Sequence, residues 1–189
     1  MHDKCTVYQS EFFDGFILED CAHSCWTPGA GLGGDAAVWS FQAVKTMPAG
    51  DGGMITTNDK KLADKCRDLS WFGVPSTWSR TKKINGKPGY AWDYEINTLG
   101  YKYYMTDIIA AICLEQMKKL PKHLEFRRHI QKRYNKELSS YVVRPPHSET
   151  VQYYISRIPK KHRDKLNSFL LDKNIHTSVH YKPLYKHNI

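Results

Sequence analysis

Residues 36–57 read AAVWSFQAVKTMPAGDGGMITT and combine two strand patterns with a glycine-rich turn. The short apolar run from Ala36 to Phe41 predicts a buried strand. The glycines of Gly50–Gly53 predict a hairpin turn, and Met54–Thr57 predicts the second strand. This stretch therefore predicts a strand hairpin that presents a polar turn.

Lys45 lies in that polar turn, and Ser40 and Gln42 precede it. A lysine next to a buried strand loses hydration, which favours the neutral amine. Only the neutral amine attacks a carbonyl carbon, so Lys45 is a candidate nucleophile. An ordinary surface lysine in a loop explains the same spacing, and the pattern alone leaves both interpretations open.

Acidic residues end another predicted strand, in the segment FFDGFILED at residues 12–20. Its apolar run Phe16–Leu18 predicts a short buried strand that ends in Glu19 and Asp20. Ligands gather at the carboxyl ends of parallel strands, which makes these acids site candidates, although a helix-capping Asp20 is an equal alternative. His23 would share a face with Asp20 on a helical turn, but taken alone it is more typical of a structural histidine.

The composition is that of a globular protein, with 189 residues, 41% of them hydrophobic and 25% charged. This length suffices for one domain, or for one domain and part of another. No apolar run reaches membrane-spanning length and the N-terminus lacks a signal-peptide core, so we expect a cytoplasmic protein. The five cysteines contain no CxxC pair, which predicts reduced thiols and no zinc site; a metal shared by Cys21 and Cys25 is a remote alternative.

The net charge of +9 raises the question of an anionic partner. Between Lys118 and Arg133 the basic residues alternate with apolar helix positions. This arrangement favours a solvated helix face over a surface that binds nucleic acid. Attraction of a small, multiply anionic substrate is a third explanation.

The rest of the chain carries helical and strand patterns around a long irregular segment, Trp71–Tyr94. Asn58 is expected to cap a helix that ends near Leu69. Thr106 or Asp107 is expected to start an amphipathic helix that ends at Pro121. Further along, the patterns predict a helix at Lys122–Leu138, a strand at Val151–Ile158, a helix at His162–Lys173 and a strand at Ile175–His180.

Five segments occur together in a distinctive order: EDCAHS (19–24), GDAAVWSFQAVK (34–45), GDGGMITTND (50–59), LGYKYYMTDIIAA (99–111) and IHTSVHYKPL (175–184). With them the chain resembles the nucleotide-sugar aminotransferases of the DegT/StrS type. Those enzymes use pyridoxal 5'-phosphate and have the fold type I architecture. The resemblance implies an α/β fold with part of the large-domain mixed sheet and its flanking helices. Residues 1–121 would be the C-terminal portion of the large cofactor-binding domain, and residues 122–189 a linking helix and an incomplete small α/β domain.

The resemblance also implies roles for individual residues. Lys45 is similar to the catalytic lysine that binds the cofactor covalently and then acts as a general base. Asp20 resembles the carboxylate beneath the pyridine nitrogen, and His23 the residue that lies against the cofactor ring. Ser40 resembles a phosphate-binding hydroxyl. Gln42, a candidate substrate-binding residue, stands where many relatives carry histidine.

Other implied roles concern the substrate and a second copy of the chain. Lys102 stands where many relatives have an asparagine that reaches the partner's cofactor phosphate, which implies a homodimer. An ammonium can also hold a phosphate. His180, Tyr181 and Lys182 resemble a loop near the sugar-nucleotide site.

The implied activity is transamination of a nucleotide-linked keto sugar, with an amino-acid donor such as glutamate, in polysaccharide biosynthesis. The sequence around Tyr103 favours a 4-keto-6-deoxyhexose, and Lys45 argues against the related dehydrating branch, which has histidine there. The family pattern leads us to expect a fragment that lacks the N-terminal part and the C-terminal end, with little activity alone. A non-catalytic remnant or interaction module is the alternative, and a basic nucleic-acid-binding domain is a weaker one. We expect neither a nucleic acid nor a membrane as partner.

Overall fold

The computed structural model describes residues 14–75, 83–84, 87–88, 94–138, 142–143 and 151–188. Its strands are β1 (Leu18–Asp20), β2 (Ala36–Ser40), β3 (Gly53–Thr57), β4 (Lys83–Ile84) and β5 (Lys87–Pro88). Its helices are α1 (Lys60–Ser70), α2 (Asp107–Glu137) and α3 (Lys160–Asp172), and a 3-10 turn spans Leu184–Lys186. The predicted long segment Trp71–Tyr94 lies largely outside the described residues.

Strands β1, β2 and β3 form a mixed sheet in that order. β1 runs parallel to β2, with Asp20 opposite Val38. β2 and β3 are antiparallel, with Ser40 opposite Gly53. A side chain at Gly53 would place its Cβ 2.5 Å from the carbonyl oxygen of Trp39, so this close approach of the strands requires glycine. The predicted hairpin of residues 36–57 is therefore confirmed.

The predicted burial of the Phe16–Leu18 run is wrong. β1 begins only at Leu18, and the exposed fractions of Phe16 and Leu18 are 59% and 55%. Within the part of the chain that the structure describes, β1 pairs only with β2 and lies at the edge of the sheet. An apolar run predicts a buried strand only where other elements cover it, and these residues have no such cover among the described ones.

The main hydrophobic core lies between the polar turn after β2 and helix α2. One turn residue, Met47, is 3% exposed, and Leu120 of α2 is 1% exposed. Burial of each such side chain contributes about 1.5–3 kcal/mol, so this packing holds the turn against the helix. The cluster consists of Phe41, Met47, Ala49, Cys113, Leu120, Leu124 and Val151, with Cys25, Trp39, Met105 and Ile109 packed against it.

Helix α2 starts as predicted, at Asp107, but the predicted end at Pro121 is wrong. The helix continues without interruption to Glu137, with Pro121 inside it. A proline removes one backbone hydrogen bond from a helix. Leu120 and Leu124, on either side of it, are both buried in the core, and their burial offsets that loss. At α1 the cap is Asp59 and not Asn58, because the carboxylate of Asp59 accepts the backbone N–H groups of the first turn.

The chain divides into two compact units. The first contains the described residues up to 131 together with 151–153, and the second contains those from 132 to 143 and from 154 onward. In the second unit helix α3 confirms the predicted helix, whereas the predicted strands 151–158 and 175–180 are wrong. Segment 151–158 forms a single bridge, between Arg157 and Val143. In segment 175–180, the N–H of Ile175 closes the end of α3 by donating to the carbonyl of Leu170.

Across the described residues, no helix combines the length and hydropathy that crossing a membrane requires.

Candidate active site

The turn after β2 holds Lys45 through backbone hydrogen bonds. The N–H of Phe41 donates to Gly52 at 2.9 Å, and that of Ala43 donates to Gly50 at 3.0 Å. These bonds extend the β2–β3 pairing into the loop. The N–H of Lys45 then donates to the carbonyl of Gln42 at 2.9 Å, which closes a tight turn. The local sequence folds this way because two glycines with positive φ, among them Gly50 at 92°, reverse the chain.

The Lys45 amine meets the imidazole of His23. Lys45 Nζ lies 2.8 Å from His23 Nε2, with both side chains half-buried. His23 follows β1 and Lys45 follows β2. Because the two strands are parallel, their carboxyl ends lie at the same edge of the sheet, and the turns that follow them come together there. An imidazole at this distance can orient the amine and share its proton.

Asp20 ends β1 and is exposed. Its Oδ1 accepts the N–H of Ala22 at 3.0 Å. This is the local turn that the capping alternative anticipated, although no helix follows it. Among the described residues Oδ2 has no hydrogen-bond partner, so a carboxylate oxygen remains available to a cation or an N–H donor.

Glu19 was singled out with Asp20 from the sequence, but it has a different role. Successive strand residues face opposite sides of the sheet. The carboxylate of Glu19 accepts N–H groups from Gly31 at 2.9 Å, Gly33 at 2.6 Å and Gly34 at 2.7 Å. Glu19 therefore fixes the loop between β1 and β2, and only Asp20 is left for a ligand.

The remaining predicted residues lie in three places. Ser40, half-buried, ends β2, and its hydroxyl lies 3.5 Å from the N–H of the exposed Gln42. Lys102 is exposed, and its Nζ stands 5.8 Å from the ring centre of Tyr104. Among the described residues, no hydrogen bond or ring contact joins Lys102 to the Lys45–His23 pair. The last three predicted residues, all exposed and in the second unit, are His180, Tyr181 and Lys182.

The structure adds two residues that the sequence analysis did not identify. Gln152 forms hydrogen bonds with Val44 and Thr46, the two residues that flank Lys45. The ring of Tyr153 meets the ring of His23 edge-on, with 5.2 Å between the centroids. Gln152 and Thr46 are 106 residues apart in the sequence, so no local pattern could have indicated the contact.

The donor set at this edge of the sheet suits a particular kind of ligand. It offers an amine at Lys45, an imidazole at His23, a carboxylate at Asp20 and a hydroxyl at Ser40. An amine binds a carbonyl compound, and a carboxylate pairs with a protonated ring nitrogen. Within the described ranges, no group of three or more His, Cys, Asp or Glu side chains could hold a metal ion. These residues therefore fit an aldehyde-bearing pyridine cofactor.

The fold is that of an α/β protein, and the donors at this edge of the sheet are of the types that carbonyl chemistry uses. The chain belongs to the DegT/DnrJ/EryC1/StrS aminotransferase family, whose model matches residues 13–189. The resemblance found in the sequence is thereby confirmed.

Two curated relatives show how far the similarity extends. The chain is 35% identical over 188 residues to the spore coat polysaccharide biosynthesis protein SpsC of Bacillus subtilis, covering 91% of this chain and 47% of that protein. It is 32% identical over 183 residues to the dTDP-4-dehydro-2,3,6-trideoxy-D-glucose 4-aminotransferase of Saccharopolyspora spinosa, covering 90% and 46%. The chain thus spans about half the length of the curated relatives it matches.

A solved structure supports the same assignment. A putative sugar aminotransferase from Streptococcus pneumoniae in its PMP form is 28% identical, with a TM-score of 0.79 over 92% of this chain and 47% of that one. Its PLP form gives a TM-score of 0.75 over 89% and 44%. The chain therefore has part of the fold type I architecture, as predicted.

Proposed function

We propose that this protein is a pyridoxal-phosphate-dependent aminotransferase that acts on a nucleotide-linked keto sugar. The observation that carries the proposal is the 2.8 Å contact between Lys45 Nζ and His23 Nε2, at the edge of the sheet where β1 ends in the exposed Asp20. The PLP and PMP forms of the pneumococcal relative support the choice of cofactor. The name of the Saccharopolyspora relative supports a dTDP-linked 4-keto sugar as the substrate class. The proposed amino donor is an amino acid such as glutamate.

Lys45 is the proposed catalytic residue. Its amine would hold the cofactor through the aldehyde group, and as a free amine Lys45 would take up and return a proton as a general base. His23 Nε2, in contact with Lys45 Nζ, orients the amine and accepts its proton. When bound, the cofactor supplies an electron sink for the carbanion next to the amino group.

Asp20 is the proposed partner of the cofactor's ring nitrogen. Its carboxylate would hold the ring nitrogen of the cofactor, and the negative charge would stabilise the protonated ring. The Oδ1 bond to Ala22 fixes the carboxylate in one orientation. The hydroxyl of Ser40, at the end of β2, is proposed to bind the cofactor phosphate.

The remaining assignments are proposals from family membership. Gln42, His180, Tyr181 and Lys182 are proposed to contact the substrate. Lys102 is proposed to reach the cofactor phosphate of the partner subunit in a homodimer. Residues 1–121 are proposed to belong to the large domain, the rest to a linking helix and the small domain. The proposed setting is polysaccharide biosynthesis in the cytoplasm.

The test is to trap the lysine. The chain is incubated with pyridoxal phosphate, reduced with borohydride, digested and mapped by mass spectrometry. A phosphopyridoxyl label on the Lys45 peptide, lost in Lys45→Arg, is the expected result. Absence of label, or a label spread over exposed lysines such as Lys161, contradicts the proposal and favours a non-catalytic protein with this fold.

A further inference from the structure

The turn that carries Lys45 is bound by a glutamine from a distant part of the chain. The hydroxyl of Thr46 donates to Oε1 of Gln152, and the amide nitrogen of Gln152 donates to the carbonyl of Val44, both at 2.5 Å. Thr46 is 4% exposed and Gln152 8% exposed. The two hydrogen bonds hold the residues immediately before and after Lys45, so they fix the backbone from which its side chain extends.

The chemistry of both bonds requires an amide at position 152. The Thr46 hydroxyl needs an acceptor, and the Val44 carbonyl needs a donor. A glutamine amide supplies one of each, whereas a glutamate would place an oxygen against the Val44 carbonyl. A buried polar group without a partner is costly, so loss of the amide would leave the turn to rearrange.

Gln152 is itself anchored in the first unit. Arg127, on helix α2, donates from Nη1 to the carbonyls of Val151 and Gln152, at 3.3 and 3.4 Å. Val151 is buried in the core cluster. The backbone at position 152 is therefore held to the same helix against which the Lys45 turn packs, and this gives the glutamine a fixed base.

We propose that Gln152 is a positioning residue that sets the approach of the Lys45 amine to a carbonyl carbon. The inference rests on the proposed function for the identity of that carbonyl compound. The next residue, Tyr153, contacts the ring of His23, the other member of the amine–imidazole pair. A misplacement of about 1 Å costs a reaction up to about 10²-fold. Because the core still holds the turn through Met47, we expect about a tenfold loss.

The experiment compares Gln152→Met with Gln116→Met in the full chain. Methionine keeps the volume of glutamine and removes both hydrogen bonds, and Gln116 is a half-buried glutamine of α2. The readout is the rate at which pyridoxal phosphate and borohydride label Lys45, normalised to the exposed Lys161. We expect a rate about tenfold lower in Gln152→Met and an unchanged rate in Gln116→Met.

A second pair of variants asks whether the hydrogen bond matters or only the packing. Thr46→Ser keeps the hydroxyl and is expected to label like the wild type, whereas Thr46→Val keeps the shape and is expected to label slowly. This pair of variants also tests the positioning role of Gln152 if Gln152→Met does not fold. Equal labelling in Thr46→Ser and Thr46→Val, or in Gln152→Met and the wild type, overturns the proposal.

Hydrogen–deuterium exchange separates this inference from the proposed function. Without cofactor, the peptide over residues 41–49 is expected to exchange faster in Gln152→Met than in Gln116→Met. If wild-type Lys45 labels no faster than Lys161, the proposed function fails. Exchange then decides the role of Gln152: faster exchange in Gln152→Met supports positioning of the turn, and unchanged exchange refutes it.

Discussion

Replacement of Glu19 by glutamine tests whether Glu19 holds the loop between β1 and β2 in place. In the native protein Oε1 accepts two N–H groups, from Gly33 and Gly34, and Oε2 accepts the third, from Gly31. The glutamine oxygen retains at most the first two. Its NH₂ group then faces the N–H of Gly31, so one donor loses its partner and two donors oppose each other.

The magnitude follows from these three bonds. An unpaired donor costs about 1–3 kcal/mol, and the two retained bonds weaken because charge-assisted bonds are about twice as strong as neutral ones. We expect the free energy of unfolding of Glu19→Gln to fall by about 2–4 kcal/mol. At an m-value of about 2 kcal/mol/M, the urea midpoint then falls by about 1–2 M.

The assay is urea unfolding followed by circular dichroism, with hydrogen–deuterium exchange of the peptide that contains Gly31–Gly34. The matched control is Glu115→Gln, because Glu115 is an exposed acid that forms an exposed ion pair with Lys118 on the same helix. We expect no measurable change in the control. Equal midpoints for Glu19→Gln and the wild type, with unchanged exchange of the loop, would falsify the assignment of Glu19 as the residue that holds it.

Three further predictions concern the core, a helix cap and the thiols. Leu120→Ala is expected to lower the free energy of unfolding by about 2–5 kcal/mol, and Leu114→Ala, at a residue 63% exposed, by less than about 0.5 kcal/mol, in urea titrations. Asp59→Ala removes the cap of α1 and is expected to cost about 1 kcal/mol in the same assay; a cost near zero contradicts the cap. Burial raises the pKa of the Cys25 and Cys113 thiols, and at Cys25 the neighbouring Cys113 raises the pKa further. At pH 8 the folded chain therefore contains less thiolate than the unfolded chain. Both thiols are expected to react more slowly with iodoacetamide when the chain is folded, and their rates are expected to increase as the pH rises. Equal rates in the folded and unfolded chain contradict this prediction.

Local patterns in the sequence were enough for the elements around the site. The apolar run Ala36–Phe41 and the glycine-rich turn Gly50–Gly53 predicted the β2–β3 hairpin and placed Lys45 in the turn between the strands. The start of α2 at Asp107 and the helix α3 were also predictable, because capping residues and the helical period are local signals. The order of five short motifs identified the family, since each motif reflects a local backbone requirement or a fixed chemical group.

The errors arose where a contact that the sequence pattern does not show outweighed the local preference. Pro121 was expected to end a helix, but burial of Leu120 and Leu124 carries α2 through it. Ile175 was expected in a strand, but its N–H closes helix α3 on Leu170. At Pro121, packing against the distant core residues Phe41 and Met47 outweighed the local signal. At Ile175, a capping hydrogen bond within the same segment outweighed the strand pattern.

Local sequence was sufficient to identify the candidate groups and the strand ends that carry them: the amine of Lys45, the carboxylate of Asp20 and the imidazole of His23. How the amine and the imidazole meet depends on tertiary structure. The 2.8 Å contact of Lys45 with His23 requires parallel pairing of β1 and β2. The hydrogen bonds of Gln152 to the Lys45 turn join residues more than one hundred positions apart. Such contacts depend on how the whole chain packs, and a pattern within one segment carries no information about them.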